Sequence, residues 1–263
     1  MGWQKMSRLT ETNKQPGFSD GVSRLAFGKD SIEAHGLAEV VRRQGVAVIP
    51  DFLGQSETAS IGREYEAILS TGGEGIKSVD MEVGRAAIVD RLAIDRNALR
   101  QTFDLFGSKF MQDLSEKYLG TPCIANETIY VMHETVGTKH VAQDLHFDVQ
   151  PTLKFFVYLN DVTAENGAFS CVPGSLGHTQ EIRAKYGDAV TYENRDFSRE
   201  HPFSEDQIVP VEGPAGTLIV FTTELWHRAG VVRRGQRCVM RGHTRPMRTK
   251  PWMAKLKKLV GFR

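Results

Sequence analysis

From residue 123 onward the chain divides into short apolar runs, 127–134, 153–159, 168–172, 207–211, 217–222 and 236–243, set apart by Gly, Pro, Asn and Asp. Runs of this length between turn-formers read as strands, and a series of them requires an all-β sandwich or barrel. The earlier part of the chain has another character. Ile32, Leu37, Val40 and Val41 recur at helical spacing over 31–43, with Ser31 as cap and Gly45 as stop. The β-branched run 46–49 predicts a buried strand closed by Pro50, 55–69 a helix and 85–92 a further strand. Residues 97–119 form the longest helical pattern, whose stripe of Leu99, Phe103, Phe106, Phe110 and Leu114 suits packing against a sheet, and Gly120 ends it.

Size and composition narrow the class. A chain of 263 residues, 40% hydrophobic and 25% charged, fits one soluble domain over 21–263, preceded by a polar, turn-rich segment 1–20 that is expected to be mobile. No apolar run approaches the roughly 18 residues that would span a bilayer, so no transmembrane segment is expected. The start lacks a signal-peptide core. Cys123, Cys171 and Cys238 are odd in number and scattered, as in buried thiols of a reducing cytoplasm. Twelve of the 33 basic residues and none of the 32 acidic ones lie beyond Glu224, which leaves residues 1–224 at −11. Such a split favours an anionic small-molecule substrate or partner, or else a tail that complements the acidic body of the same protein. Within 251–263, Trp252, Leu256, Leu259 and Phe262 set against Lys255, Lys257 and Lys258 make a basic amphipathic segment, suited to an anionic surface, to the protein itself or to a homodimer. No groove of interleaved aromatic and basic residues argues for nucleic acid.

The chemistry concentrates in 145–178 and in Trp226-His227-Arg228. His146 and Asp148 are two positions apart, so on an extended strand both side chains leave one face, and His227 would complete a set of two imidazoles and one carboxylate. That set suits ferrous iron. It grips the ion from one side and leaves three positions for a chelating cosubstrate and dioxygen.

The flanks add a family resemblance. After the His-x-Asp pair come the strand 153–159, Asn160-Asp161, Glu165-Asn166-Gly167, the strand 168–172 and Pro173-Gly174-Ser175 with His178. Together with the opening run 44–53 and the run 213–221 leading to His227, this resembles the phytanoyl-CoA dioxygenase family of Fe(II)/2-oxoglutarate enzymes over about residues 31–246. The resemblance implies a double-stranded β-helix, or jelly roll, with N-terminal helices on the sheet. It implies His146, Asp148 and His227 as iron ligands and 2-oxoglutarate and O2 as cosubstrates. Hydroxylation of a small molecule with release of succinate and CO2 would follow, and the carboxylate of Asp148 argues against halogenation.

Arginine suits the far carboxylate of 2-oxoglutarate because its planar fork binds a carboxylate through two hydrogen bonds and stays charged when buried. The family spacing implies Arg237 for that task, with Arg241 on the same strand face as the alternative. Alignment also implies Phe156 and His133 beside the cosubstrate. Ala229 stands where many relatives carry an assisting hydroxyl, which leaves the second contact to that carboxylate unassigned. Residues 179–206 interrupt the strand series and have the length of a lid over the barrel mouth. The rival reading is a cupin-like barrel that binds metal or ligand without oxidation.

Overall fold

The computed structural model describes residues 25–28, 33–139, 141–191 and 201–247. The expectations for 1–20, for Ser31 and Ile32, for the middle of the excursion at 192–200 and for 251–263 lie outside the described residues. The helices are α1 (Ala34–Gln44), α2 (Gln55–Thr71), α3 (Arg100–Phe106), α4 (Lys109–Leu119) and α5 (Leu176–Tyr186). The strands are β1 (Val46–Ile49), β2 (Ile76–Val79), β3 (Arg85–Asp90), β4 (Thr128–Thr135), β5 (Leu153–Tyr158), β6 (Ser170–Cys171), β7 (Val209–Pro210), β8 (Leu218–Thr222), β9 (His227–Arg228) and β10 (Gln236–Thr244).

Seven strands pair antiparallel in the order β1-β8-β5-β10-β4-β3-β2, and three more in the order β7-β6-β9. Alternation along each strand divides the large sheet into two faces. Ala47, Ile49, Phe155, Val157, Leu218, Val220 and Met240 meet α1, α2 and α4 in one core, while Val46, Val48, Phe156, Tyr158, Ile219, Phe221 and Val239 meet Cys171 of the small sheet and the adjoining Phe169 and Val211 in another. The strands read as continuous apolar runs because both faces are covered. The result is the sandwich that the strand series implied, in the jelly-roll form that the family resemblance implied, with N-terminal helices on its outer face. Among the described residues no helix is long and apolar enough to cross a membrane.

Local chemistry sets the ends of the elements. Helix α1 stops at Gly45, whose φ of 82° admits no side chain easily and whose N–H bonds the Val41 carbonyl at 2.8 Å. The helix expected over 97–119 is two helices. It breaks at Gly107-Ser108, where Ser108 caps α4 by accepting from the Met111 N–H at 3.4 Å. A Cβ at Gly107 would lie 2.6 Å from the Arg91 guanidinium, so the break also makes room for that buried side chain. The stripe itself packs as expected: Leu99, Phe106 and Leu114 are buried in the helix-side core, with Phe103 and Phe110 against it.

The family-like turn residues act as struts. Asn166 donates to the Asp161 carbonyl at 2.8 Å and accepts from the Thr163 N–H at 2.6 Å. Asn160 accepts from the Cys238 N–H at 2.7 Å, and the Ser175 hydroxyl accepts from the Trp226 N–H at 3.0 Å. The last bond fixes the residue next to His227.

Candidate metal centre and active site

His146 stands on no regular strand. It docks by a single antiparallel bridge on β9, with His146 N–H to His227 carbonyl at 3.0 Å and His227 N–H to His146 carbonyl at 2.8 Å. Two residues on, the Asp148 N–H bonds the Thr223 carbonyl at 2.8 Å. The segment is therefore laid along 223–229 and keeps the alternation of an extended chain. His146 and Asp148 turn toward His227, while Leu145 and Phe147 turn back into a third apolar cluster with Trp226, Val172, Ile182 and Ile208.

The potential ligand atoms of His146, Asp148 and His227 all lie within 4.8 Å of one another. Asp148 Oδ1 is 3.4 Å from His146 Nε2 and 3.8 Å from His227 Nε2. Each imidazole is turned by its other nitrogen: His146 Nδ1 donates to the Asp144 carbonyl and His227 Nδ1 to the Leu225 carbonyl, both at 2.7 Å. Both Nε2 lone pairs are thereby left to face the carboxylate oxygen, the tautomer that metal-binding histidines take. Burial, with His146 close by, holds His227 well below the ordinary histidine range, so its imidazole is neutral. For Asp148 burial works in the opposite sense, but the Lys154 ammonium prevails and holds the carboxyl well below the usual carboxylate range. Two imidazole nitrogens and one carboxylate oxygen make a donor set that fits ferrous iron.

Arg237, the arginine expected to receive the cosubstrate, is committed elsewhere. It is 1% exposed, its Nε donates to Glu134 Oε2 at 2.7 Å, its Nη2 pairs with the same carboxylate, and its Nη1 donates to the Gly167 carbonyl. Glu134 on β4, itself 1% exposed, neutralises it. Arg241, four residues along β10 on the same face, has no such partner among the described residues. Its guanidinium carbon lies 5.1 Å from the Tyr130 ring and 6.0 Å from the Phe156 ring, and its buried Nε has no hydrogen-bond partner. His243, one further step along that face, is likewise buried with both ring nitrogens unpartnered. Phe156 lies on the inner face of the large sheet among Tyr158, Phe169 and Phe221.

His133 is a correction. On β4 the residues Tyr130, Met132 and Glu134 face the barrel interior, so His133 faces the helices. There it meets Arg85 at 2.9 Å, Gln236 at 3.2 Å and the Tyr65 ring, on the wrong side of the sheet to touch a cosubstrate.

Two residues that the sequence reading passed over touch the ligands directly. Lys154 on β5 is buried, with its ammonium 2.7 Å from Asp148 Oδ2. Burial, only partly offset by Asp148, brings that ammonium down to about 8. The signal was present, since Lys154 is the one charged residue in the run Leu-Lys-Phe-Phe-Val-Tyr. Arg183 on α5 donates to the Asp148 carbonyl at 2.8 Å and to the Val149 carbonyl at 3.1 Å, with Glu224 at 3.3 Å and the Phe147 ring 5.2 Å away. Helix α5 belongs to the stretch expected as a lid, and this part of it braces the ligand segment from behind. Arg183→Ala is expected to weaken divalent-metal binding about 10- to 100-fold, the usual cost of losing a residue that orients a ligand. A metal titration of the apo protein measures this.

A jelly roll that brings two imidazoles and a carboxylate together is a barrel with the donor set of a non-haem metal site. The model of the phytanoyl-CoA dioxygenase (PhyH) family matches residues 41–237, and the chain belongs to that family. Iron, 2-oxoglutarate and O2 are the cofactors of its members. Among solved structures, the fold is similar to the non-heme alpha ketoglutarate dependent carbocyclase SnoK from nogalamycin biosynthesis, at 17% identity and a TM-score of 0.60, over 88% of this chain and 93% of that one. It is also similar to the epimerase SnoN from the same biosynthesis, at 19% identity and a TM-score of 0.56, over 81% and 83%. HygX from Streptomyces hygroscopicus, solved with nickel, 2-oxoglutarate and hygromycin B, is similar at 18% identity and a TM-score of 0.55, over 81% and 87%. A comparison with curated proteins finds no match.

Proposed function

We propose that this chain is an Fe(II)- and 2-oxoglutarate-dependent dioxygenase that hydroxylates an unactivated C–H bond of a small molecule. The observation that carries the reading is the convergence of His146, Asp148 and His227 with both Nε2 atoms turned to one carboxylate oxygen. Bound there, iron with 2-oxoglutarate and O2 would supply the oxidant for the C–H bond, with succinate and CO2 as by-products. The chain would supply the rest. The two histidines and Asp148 hold the metal from one side, and Arg241 binds the far carboxylate of the cosubstrate. Phe156 and Phe221 wall the space between and keep water from the reacting centre.

Arg241 takes the anchoring role here in place of Arg237 because a buried guanidinium with an unpartnered Nε favours an incoming carboxylate, while one already held by Glu134 does not. His243 supplies further unpartnered nitrogens on that face, in the absence of a hydroxyl at Ala229. Asp148 keeps the reaction on the hydroxylating side, since a halide would need its place. The similar structures include an alpha ketoglutarate dependent epimerase and a carbocyclase, so the fold is not confined to hydroxylation.

The test is iron-dependent turnover. Purified apo protein given Fe(II), ascorbate and 2-oxoglutarate should release succinate, and a metabolite screen should find a product heavier by one oxygen. His146→Ala should reduce succinate release to background. Metal binding without succinate release under any substrate would instead make the protein a non-oxidative metal-binding barrel.

A further inference from the structure

The two oxygens of Asp148 have unlike neighbours. Oδ2 lies 2.7 Å from the Lys154 ammonium, and Oδ1 faces His146 Nε2 at 3.4 Å and His227 Nε2 at 3.8 Å. The ammonium has arrived there at some cost. Lys154 is 5% exposed in the centre of the large sheet, where its cross-strand neighbours are Phe221 on β8 and His243 on β10, and its Nζ lies 5.7 Å from the Phe221 ring. The fold does not require a cation in this place, because every other residue of β5 is apolar and buried. A buried cation also repels a metal ion, so a lysine beside a metal ligand is a poor way to strengthen metal binding.

We propose that Lys154 is a positioning residue that makes Asp148 a one-oxygen ligand. A free carboxylate next to a divalent cation binds through one oxygen or through both. If Asp148 swung both oxygens onto the metal, it would take one of the three positions that the facial set leaves open. A chelating 2-oxo acid needs two of these and dioxygen the third. Holding Oδ2 in a charge-assisted bond prevents the swing. Lys154 therefore acts on the cosubstrate's access to the metal and not on the metal's affinity for the protein. This rests on the dioxygenase reading given above.

That division of labour gives the test its discriminating readout. Lys154→Met and Lys154→Arg would be compared with the parent protein by calorimetric titration, first with Co(II) on the apo proteins and then with 2-oxoglutarate on the Co(II)-loaded proteins under argon. In Lys154→Met, Co(II) should bind as tightly as in the parent or tighter, and 2-oxoglutarate about 10- to 100-fold more weakly. The visible Co(II) spectrum should change before any cosubstrate is added, reporting the second carboxylate oxygen. Lys154→Arg, which keeps a cationic donor for Oδ2, should stay within about threefold of the parent in both titrations and keep its Co(II) spectrum.

If Lys154→Met binds 2-oxoglutarate as the parent does, or loses Co(II) and 2-oxoglutarate affinity in equal measure, the positioning role is wrong. Should Lys154→Met fail to fold, Lys154→Gln takes its place, with a neutral amide donor. It should show the same direction of effect at smaller size, and parent-like 2-oxoglutarate binding in it would overturn the proposal equally. Failure of the underlying reading looks different: the parent protein itself, loaded with Co(II), would then bind no 2-oxoglutarate.

Discussion

Arg241→Met is expected to raise the KM for 2-oxoglutarate about 100-fold or more, with kcat at saturating cosubstrate little changed. Methionine keeps most of the volume between the Tyr130 and Phe156 rings, which lie 5.1 and 6.0 Å from the guanidinium carbon, so the cavity should survive the change. What is lost is a fork of two charge-assisted hydrogen bonds to a buried carboxylate, at about 1.5–3 kcal/mol each. Their sum, about 3 kcal/mol at the low end, is a factor of at least about 100 in affinity. Cosubstrate titrations of succinate release measure it. A change in KM of less than about threefold would remove Arg241 from the site. Divalent-metal affinity is the control, and it should not fall, because the Arg241 charge acts on Asp148 only through space and its loss removes a cation from beside the metal.

That prediction concerns the fallback arginine of the sequence reading, and the reason shows what a sequence of this kind makes legible. Period-two alternation places Arg237 and Arg241 on one face of β10, which is correct, but alternation says nothing of depth. The partner that sets their surroundings apart, Glu134, lies 103 residues away along the chain and is a neighbour only once β4 and β10 have paired. His133 failed on parity alone: a shift of one residue in a strand moves a side chain to the opposite face. The metal set was legible because its signal is local. His146 and Asp148 sit at strand spacing, and His227 follows a strand at a distance that the flanking motifs mark. The barrel was legible for a similar reason, since its strands are apolar runs punctuated by turn-formers. Strand β2, mostly exposed, carries no such signature. Strand β9 is only two residues long, so neither could be read in advance. Arg183 acts through backbone carbonyls, which no side-chain pattern encodes.

The opposite outcome is expected at Arg237. Arg237→Met leaves Glu134 buried at 1% exposure with its main cationic partner gone, and breaking a buried pair from one side costs about 3–5 kcal/mol. For a protein of this size that is a fall of about 10 °C in the melting temperature. Removing both charges should restore most of the loss, because the double variant Glu134→Leu/Arg237→Met leaves neither member of this pair as a buried ion facing the gap of the other. Recovery should stop about 1 kcal/mol short, since the Gly167 carbonyl loses the hydrogen bond it accepts from Arg237. Thermal or urea unfolding of the apo proteins gives the cycle, with an expected coupling of about 2 kcal/mol or more. The double variant also separates strut from anchor. If it folds and binds 2-oxoglutarate within a few-fold of the parent, Arg237 holds the barrel together and Arg241 holds the cosubstrate. If it folds and binds none, the family spacing was the better guide, and Glu134 must release Arg237 when the cosubstrate arrives.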